Sequence, residues 1–137
     1  METAEAARRW ARTWQLGWES LDADAIVALY RADARHSSAP FREPGNGIAG
    51  VRAYVEKSFR EESKVRAWFG EPLIDGERAA VAWWATMVED GRGISLAGTS
   101  VIRFDEAGLV MSQWDTWNQA DGRIEPLPGW SSIPRVE

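Results

Sequence analysis

Asp115 stands in the run Gln113-Trp114-Asp115-Thr116-Trp117-Asn118, an acid set among indoles in a strand-like stretch. Burying a carboxylate among aromatic side chains is costly, so its presence there asks for a reason. One reason is chemistry: desolvation favours the protonated form of a carboxyl and makes it a usable acid or base. The other is structural: the acid accepts hydrogen bonds from an indole or backbone N–H. His36, the chain's one imidazole, reads either as a general base or partner fixing Asp115, or as a strand-end histidine at the rim. Ser100, in another strand-like run, is either a hydroxyl of the same site or plain strand filling.

Composition limits the other chemistries. Cysteine is absent, which removes disulfides, thiolate nucleophiles and zinc–thiolate sites. One histidine cannot build a multi-histidine metal site, and no cofactor-binding motif is present. The Gly45-Asn46-Gly47 run lacks the Lys-Ser or Lys-Thr and the preceding strand of a phosphate loop. A net charge of -5 and the lack of a basic block argue against nucleic acid. No signal peptide or membrane-length apolar run is visible, so a cytoplasmic location is expected. At 137 residues and 45% hydrophobic, one globular domain over 1–137 is expected, its core about 5–118 and its tail 119–137 irregular.

The elements that must position these side chains follow from periodicity. A helix over 3–21 puts Trp10, Trp14, Trp18 and Leu21 on one face. Asp22 reads as the N-cap of a short helix over 23–30. An extended segment over 33–38 ends before Pro40, and 41–50, rich in Gly and Pro, reads as a loop. A third helix over 51–62 carries Val51, Tyr54, Val55 and Phe59. Strands are expected over 65–69, 79–89, 94–104 and 109–118, joined by turns at Asp75-Gly76, Asp90-Gly91 and Ala107-Gly108. Helices followed by antiparallel hairpins make an α+β order. Without bulges, Gln113, Asp115 and Trp117 share one face of the last strand, and Trp114 and Thr116 the other.

The chain resembles the nuclear transport factor 2-like superfamily, in its SnoaL-like and ketosteroid-isomerase-like branch. The resemblance covers about residues 5–118. It rests on Leu21-Asp22-Ala23-Asp24-Ala25-Ile26-Val27-Ala28-Leu29-Tyr30, Gly50-Val51-Arg52-Ala53-Tyr54, the Asp75-Gly76 turn, Ile102-Arg103-Phe104-Asp105 and Gly108-Leu109-Val110. It implies a cone-shaped, curved mixed sheet packed on three N-terminal helices and enclosing a pocket. It also implies a homodimer through the convex sheet face, which Trp84 and Trp114 would serve.

Catalytic roles carry over only in part. The strand aspartate that serves ketosteroid isomerases as base corresponds to Ser38 or Ala39, and their two oxyanion donors to Trp14 and Ser100. The Arg-x-Asp pair of limonene-epoxide-hydrolase-like members corresponds to Trp83 and Ala85, whereas Asp115 matches their last-strand aspartate. Pocket acids of SnoaL-like cyclases move protons, a role open to Asp115 with His36. The resemblance thus gives Asp115, His36 and Ser100 as catalytic candidates and Trp14, Trp18, Tyr30, Ser38, Tyr54, Trp83, Gln113 and Trp117 as wall residues. Arg42, in the loop after Pro40, either steers an anionic ligand or is merely solvated. The expected ligand is a small apolar organic molecule. The expected function is cofactor-independent acid–base catalysis (isomerase, cyclase, dehydratase or hydrolase) or, alternatively, a non-catalytic binding or dimerisation module.

Overall fold

The computed structural model describes residues 1–130. Helix α1 (Thr3–Ser20) buries the predicted indole stripe: Trp10, Trp14 and Trp18 all lie inside. Ala6, Ala7 and Ala11 on the same side let the helix approach the sheet closely. Leu21 closes it in the left-handed conformation, its N–H returned to the carbonyls of Gly17 and Trp18. Helix α2 (Ala23–Val27) is capped as expected, the Asp22 side chain accepting from the Ala25 N–H at 3.1 Å.

Several boundaries differ from the sequence reading, among them those of the second and third helices and the start of β3 (Glu62–Phe69), three residues early. The second helix stops at Val27 instead of reaching 30, because the following backbone joins the sheet. Strand β1 (Tyr30–Ser37) begins there, and the Val110 N–H bonds the Leu29 carbonyl at 2.9 Å. The third helix, α3 (Gly47–Glu61), starts four residues before the predicted position, after a two-residue strand β2 (Gly45–Asn46) paired with Arg35 and His36. The glycines that read as a loop make this approach possible. A Cβ on Gly50 would lie 3.2 Å from the carbonyl carbon of Gly45.

The rest is strand: β3 (Glu62–Phe69), β4 (Leu73–Asp75), β5 (Arg78–Glu89), β6 (Arg92–Phe104) and β7 (Val110–Asp121). β4 was not foreseen, and β7 extends three residues past the expected end. The order is β2-β1-β7-β6-β5-β3, with β4 against β5. The β5–β6–β7 meander is antiparallel as expected, while β1 runs parallel to β7. The result is α+β: N-terminal helices on a curved mixed sheet. That sheet is open, with β2 and β3 at its edges, so it is not a closed barrel. Residues 122–130 contain no helix or strand, β7 takes 119–121 of the expected tail, and 131–137 lie outside the described residues. Among the described residues, no helix is long and apolar enough to cross a membrane.

β6 and β7 press closely together at Gly98. A Cβ on Gly98 would lie 2.1 Å from the Thr116 carbonyl oxygen and 2.6 Å from the Trp117 Cβ. No side chain fits there without parting the ladder that carries Asp115 and Trp117. Gly98→Ala is therefore expected to cost roughly 1–3 kcal/mol, of the order of other overpacked sites, measured as a lower urea midpoint with unchanged slope.

Candidate active site

The concave side of the sheet places the candidates by register. Pairing of Ser100 with Asp115 and of His36 with Gln113 brings β1, β6 and β7 to one spot. Asp115 is 9% exposed, yet both its oxygens are met. Ser100 Oγ donates to Oδ1 at 2.6 Å, the Gln113 amide donates to Oδ1 at 3.0 Å, and His36 Nε2 lies 3.0 Å from Oδ2. The Trp83 indole N–H donates to Ser100 Oγ at 2.9 Å, which directs the Ser100 proton to Asp115. On the other side, Gln113 Oε1 accepts from Trp10 Nε1 at 3.0 Å and from the Tyr30 hydroxyl. Trp14 Nε1 donates in turn to that hydroxyl at 3.1 Å. With its oxygen engaged twice, the Gln113 amide can only turn its NH2 toward Asp115.

In front of this network is a partly open cavity. Asp115, Ser100, Gln113, Trp14, Trp18, Tyr54, Trp83 and Trp117 line it. Tyr30, His36 and Ser38 are buried but stand behind or beside the wall. Tyr30 and His36 support it from behind. The Ser38 carbonyl accepts the Trp117 indole N–H at 2.6 Å. The rim position open to His36 in the sequence reading is excluded, because it is 3% exposed and packs edge-on against Tyr54 with ring centroids 5.0 Å apart. Neither oxyanion donor implied by the resemblance is free: Trp14 gives its N–H to Tyr30, and Ser100 gives its proton to Asp115. Among the described residues, no three His, Asp or Glu side chains gather as a metal would require.

The SnoaL-like domain model matches residues 7–113. The chain belongs to this SnoaL-like family. Solved structures share its fold. The epoxide hydrolase/cyclase-like enzyme SalBIII, described in pyran ring formation in the polyether salinomycin, is 20% identical, with a TM-score of 0.73 over 87% of this chain and 95% of that one. RV0760c from Mycobacterium tuberculosis is 14% identical, with a TM-score of 0.75 over 89% and 99%. No curated protein matches the sequence.

In this SnoaL-like domain the sequence reading missed a second acid on the wall, Glu62. It is the first residue of β3, where the chain leaves α3 in an extended conformation and turns the side chain inward beside Trp18. The Trp18 indole N–H donates to Glu62 Oε1 at 2.8 Å. Burial pushes the Glu62 carboxyl up to about 7, with Glu89 and Glu61 adding to the rise and the Trp18 bond opposing it. Adjacent acids at a helix end normally face water, so the Glu61-Glu62 pair gave no signal. Trp10, Val55, Ser58, Phe59, Phe69 and Leu96 complete the wall. Of these, Trp10, Val55 and Phe59 were legible as apolar stripes, though not as lining.

The sign of the Glu62 effect on stability follows from proton counting. Between pH 4.5, the ordinary value, and about 7, the folded state keeps a proton that the unfolded chain has released. Stability should therefore fall as pH rises through that window and level off above it. Glu62→Gln should remove that component, seen as a flatter melting temperature between pH 4.5 and 8 than the parent's.

Proposed function

We propose that this SnoaL-like domain is a small-molecule enzyme that moves protons on an apolar organic substrate with its two wall carboxyls. Asp115 is the proton acceptor, held as a carboxylate-type acceptor by Ser100, Gln113 and His36. Glu62 is the donor, since a carboxyl titrating at about 7 still carries its proton in part at neutral pH. One observation carries this reading: two acids line one cavity in contrasting environments, one rich in donors and one desolvated. Such contrast separates acid from base. Isomerisation, cyclisation, dehydration and hydrolysis are the reactions such a pair serves. Likeness to SalBIII, an epoxide hydrolase/cyclase-like enzyme, supports the ring-forming end of this range. The aromatic wall excludes water and positions an apolar body.

A second reading has its own observation. Both Asp115 oxygens are already engaged by the protein, which also suits a rigid, non-catalytic binding module. Ring opening of 5-nitrobenzisoxazole, a generic probe for a carboxylate base in an apolar cavity, separates the two. The enzyme reading expects turnover above that of equimolar acetate, lowered about a hundredfold or more by Asp115→Asn. Turnover no better than acetate favours the binding module.

We also infer that the convex sheet face joins two copies. Trp114 is 46% exposed and stands beside Val101, which is 40% exposed. Trp84 serves this face less than its sequence position suggests. Its N–H bonds the Ile124 carbonyl at 2.7 Å and its ring meets Trp130, so the chain's own tail covers part of it. A dimer mass by light scattering at micromolar concentration is expected, reduced to a folded monomer by Trp114→Arg. A monomeric parent protein would refute the interface.

A further inference from the structure

The cavity wall is unusual in what it withholds. Five indoles face it, and each has already given away its N–H: Trp10 to Gln113, Trp14 to Tyr30, Trp18 to Glu62, Trp83 to Ser100 and Trp117 to the Ser38 carbonyl. What they present to a ligand is therefore π surface, whose face carries partial negative charge. The Ser100 proton and the Gln113 amide hydrogens point at Asp115 and not into the space. The charged groups on the wall are Asp115 and Glu62, and among the described residues no Lys, Arg or His lines it. Carboxyl oxygens and π faces thus dominate, beside the hydroxyls of Tyr54 and Ser58.

Two further observations fit a negative interior. The hydroxyl protons of Tyr30 and Tyr54 are held more tightly than usual, first through burial and then through the charge of Asp115. One cation already uses the wall from outside: the Arg42 guanidinium lies 5.5 Å over the Trp117 ring at the exposed loop. Its exposure leaves its charge screened by water and salt, so it offsets the interior acids weakly.

We propose that the cavity takes an organic cation, a protonated amine on an apolar body, with its charge set among the indoles and against Asp115 and Glu62. This names the substrate class of the site described above and rests on that reading of the cavity as a ligand site. A desolvated cation over indole faces gains enough for about a tenfold or larger preference over a neutral isostere. A carboxylate of the same size meets two acids and no wall cation, and is rejected. The preference should grow as Glu62 ionises. The groups facing Glu62 are the Trp18 indole from α1, Glu61 and Tyr54 from α3 and Glu89 from β5. Those facing Asp115 are His36 and Tyr30 from β1, Tyr54 from α3 and Ser100 from β6.

The test is quenching of the wall indoles by three probes of matched shape: 2-phenylethylammonium, 2-phenylethanol and 3-phenylpropanoate. The proposal expects the ammonium to bind about tenfold or more tightly than the alcohol, and the carboxylate most weakly. It also expects the ammonium-to-alcohol ratio to rise between pH 5.5 and 8.5, and that rise to disappear in Glu62→Gln. Equal binding of ammonium and alcohol, or tighter binding of the carboxylate, overturns the cation assignment while leaving the cavity a ligand site. No binding of any probe up to 10 mM (roughly the millimolar floor of weak binding), by calorimetry as well as by indole fluorescence, overturns both.

Discussion

A carboxylate buried in a wall of indoles has to be met by donors, and meeting Asp115 commits side chains from three strands at once. The commitment spreads outward. Ser100 can donate to Asp115 because Trp83 supplies the bond its oxygen accepts. Gln113 turns its NH2 inward because Trp10 and Tyr30 occupy its oxygen. Trp14 then holds the Tyr30 hydroxyl. One buried charge thus fixes the rotamers of four further polar side chains and locks α1 onto β1 and β7. Such a network rigidifies a core only while every member is satisfied. Among the described residues, Arg9 Nε is the sole buried side-chain polar atom without a partner, and it lies outside this chain of bonds.

Much of this was legible because strand alternation is strict. Gln113, Asp115 and Trp117 were assigned one face and Trp114 and Thr116 the other; the first two are buried and Trp117 half-buried, while the last two are exposed. The helical indole stripe was equally clear, since spacings of four and four leave little choice of face. The misreadings share one cause: local propensity yielded to tertiary contact. Tyr30 looked helical after Ile26 and Val27, but its hydroxyl and backbone were claimed by Gln113 and by β7. The glycines before Val51 looked like a loop because small residues signal freedom. Here they signal close approach of two backbones. Glu62 was invisible for a different reason. Which of two adjacent acids turns inward is decided by where a helix ends, and sequence locates helix ends poorly.

The nine tryptophans now divide by what their N–H groups and rings meet. Five form the wall, each with a partner inside the fold. Trp68, on β3, lies under the Arg66 guanidinium, 5.3 Å from ring centroid to charge. Trp84 and Trp130 meet edge to face at 6.1 Å and tie the segment after β7 back to the sheet. Ser95 reinforces that tie, donating to the Gly122 carbonyl at 2.7 Å and accepting the Ile124 N–H at 2.8 Å. Trp114 is the indole left in water. An abundance that looked like one compositional oddity is four separate solutions: a cavity lining, a strand indole under an arginine, a strap and an exposed apolar patch.

The two wall acids show how one cavity can treat the same functional group in opposite ways. Asp115 sits where three strands deliver polar partners, so its oxygens are shared among several bonds. Glu62 sits at the start of β3 with a single indole donor and two further acids nearby, so burial governs its proton. Moving either residue by one position would reverse its face and end the contrast, because register decides which environment each carboxyl meets. The chemistry available to the cavity is therefore a property of strand register more than of residue type. Ser38 and Trp83 show the same dependence on placement, since both serve the wall: Ser38 anchors Trp117, and Trp83 orients Ser100 toward Asp115.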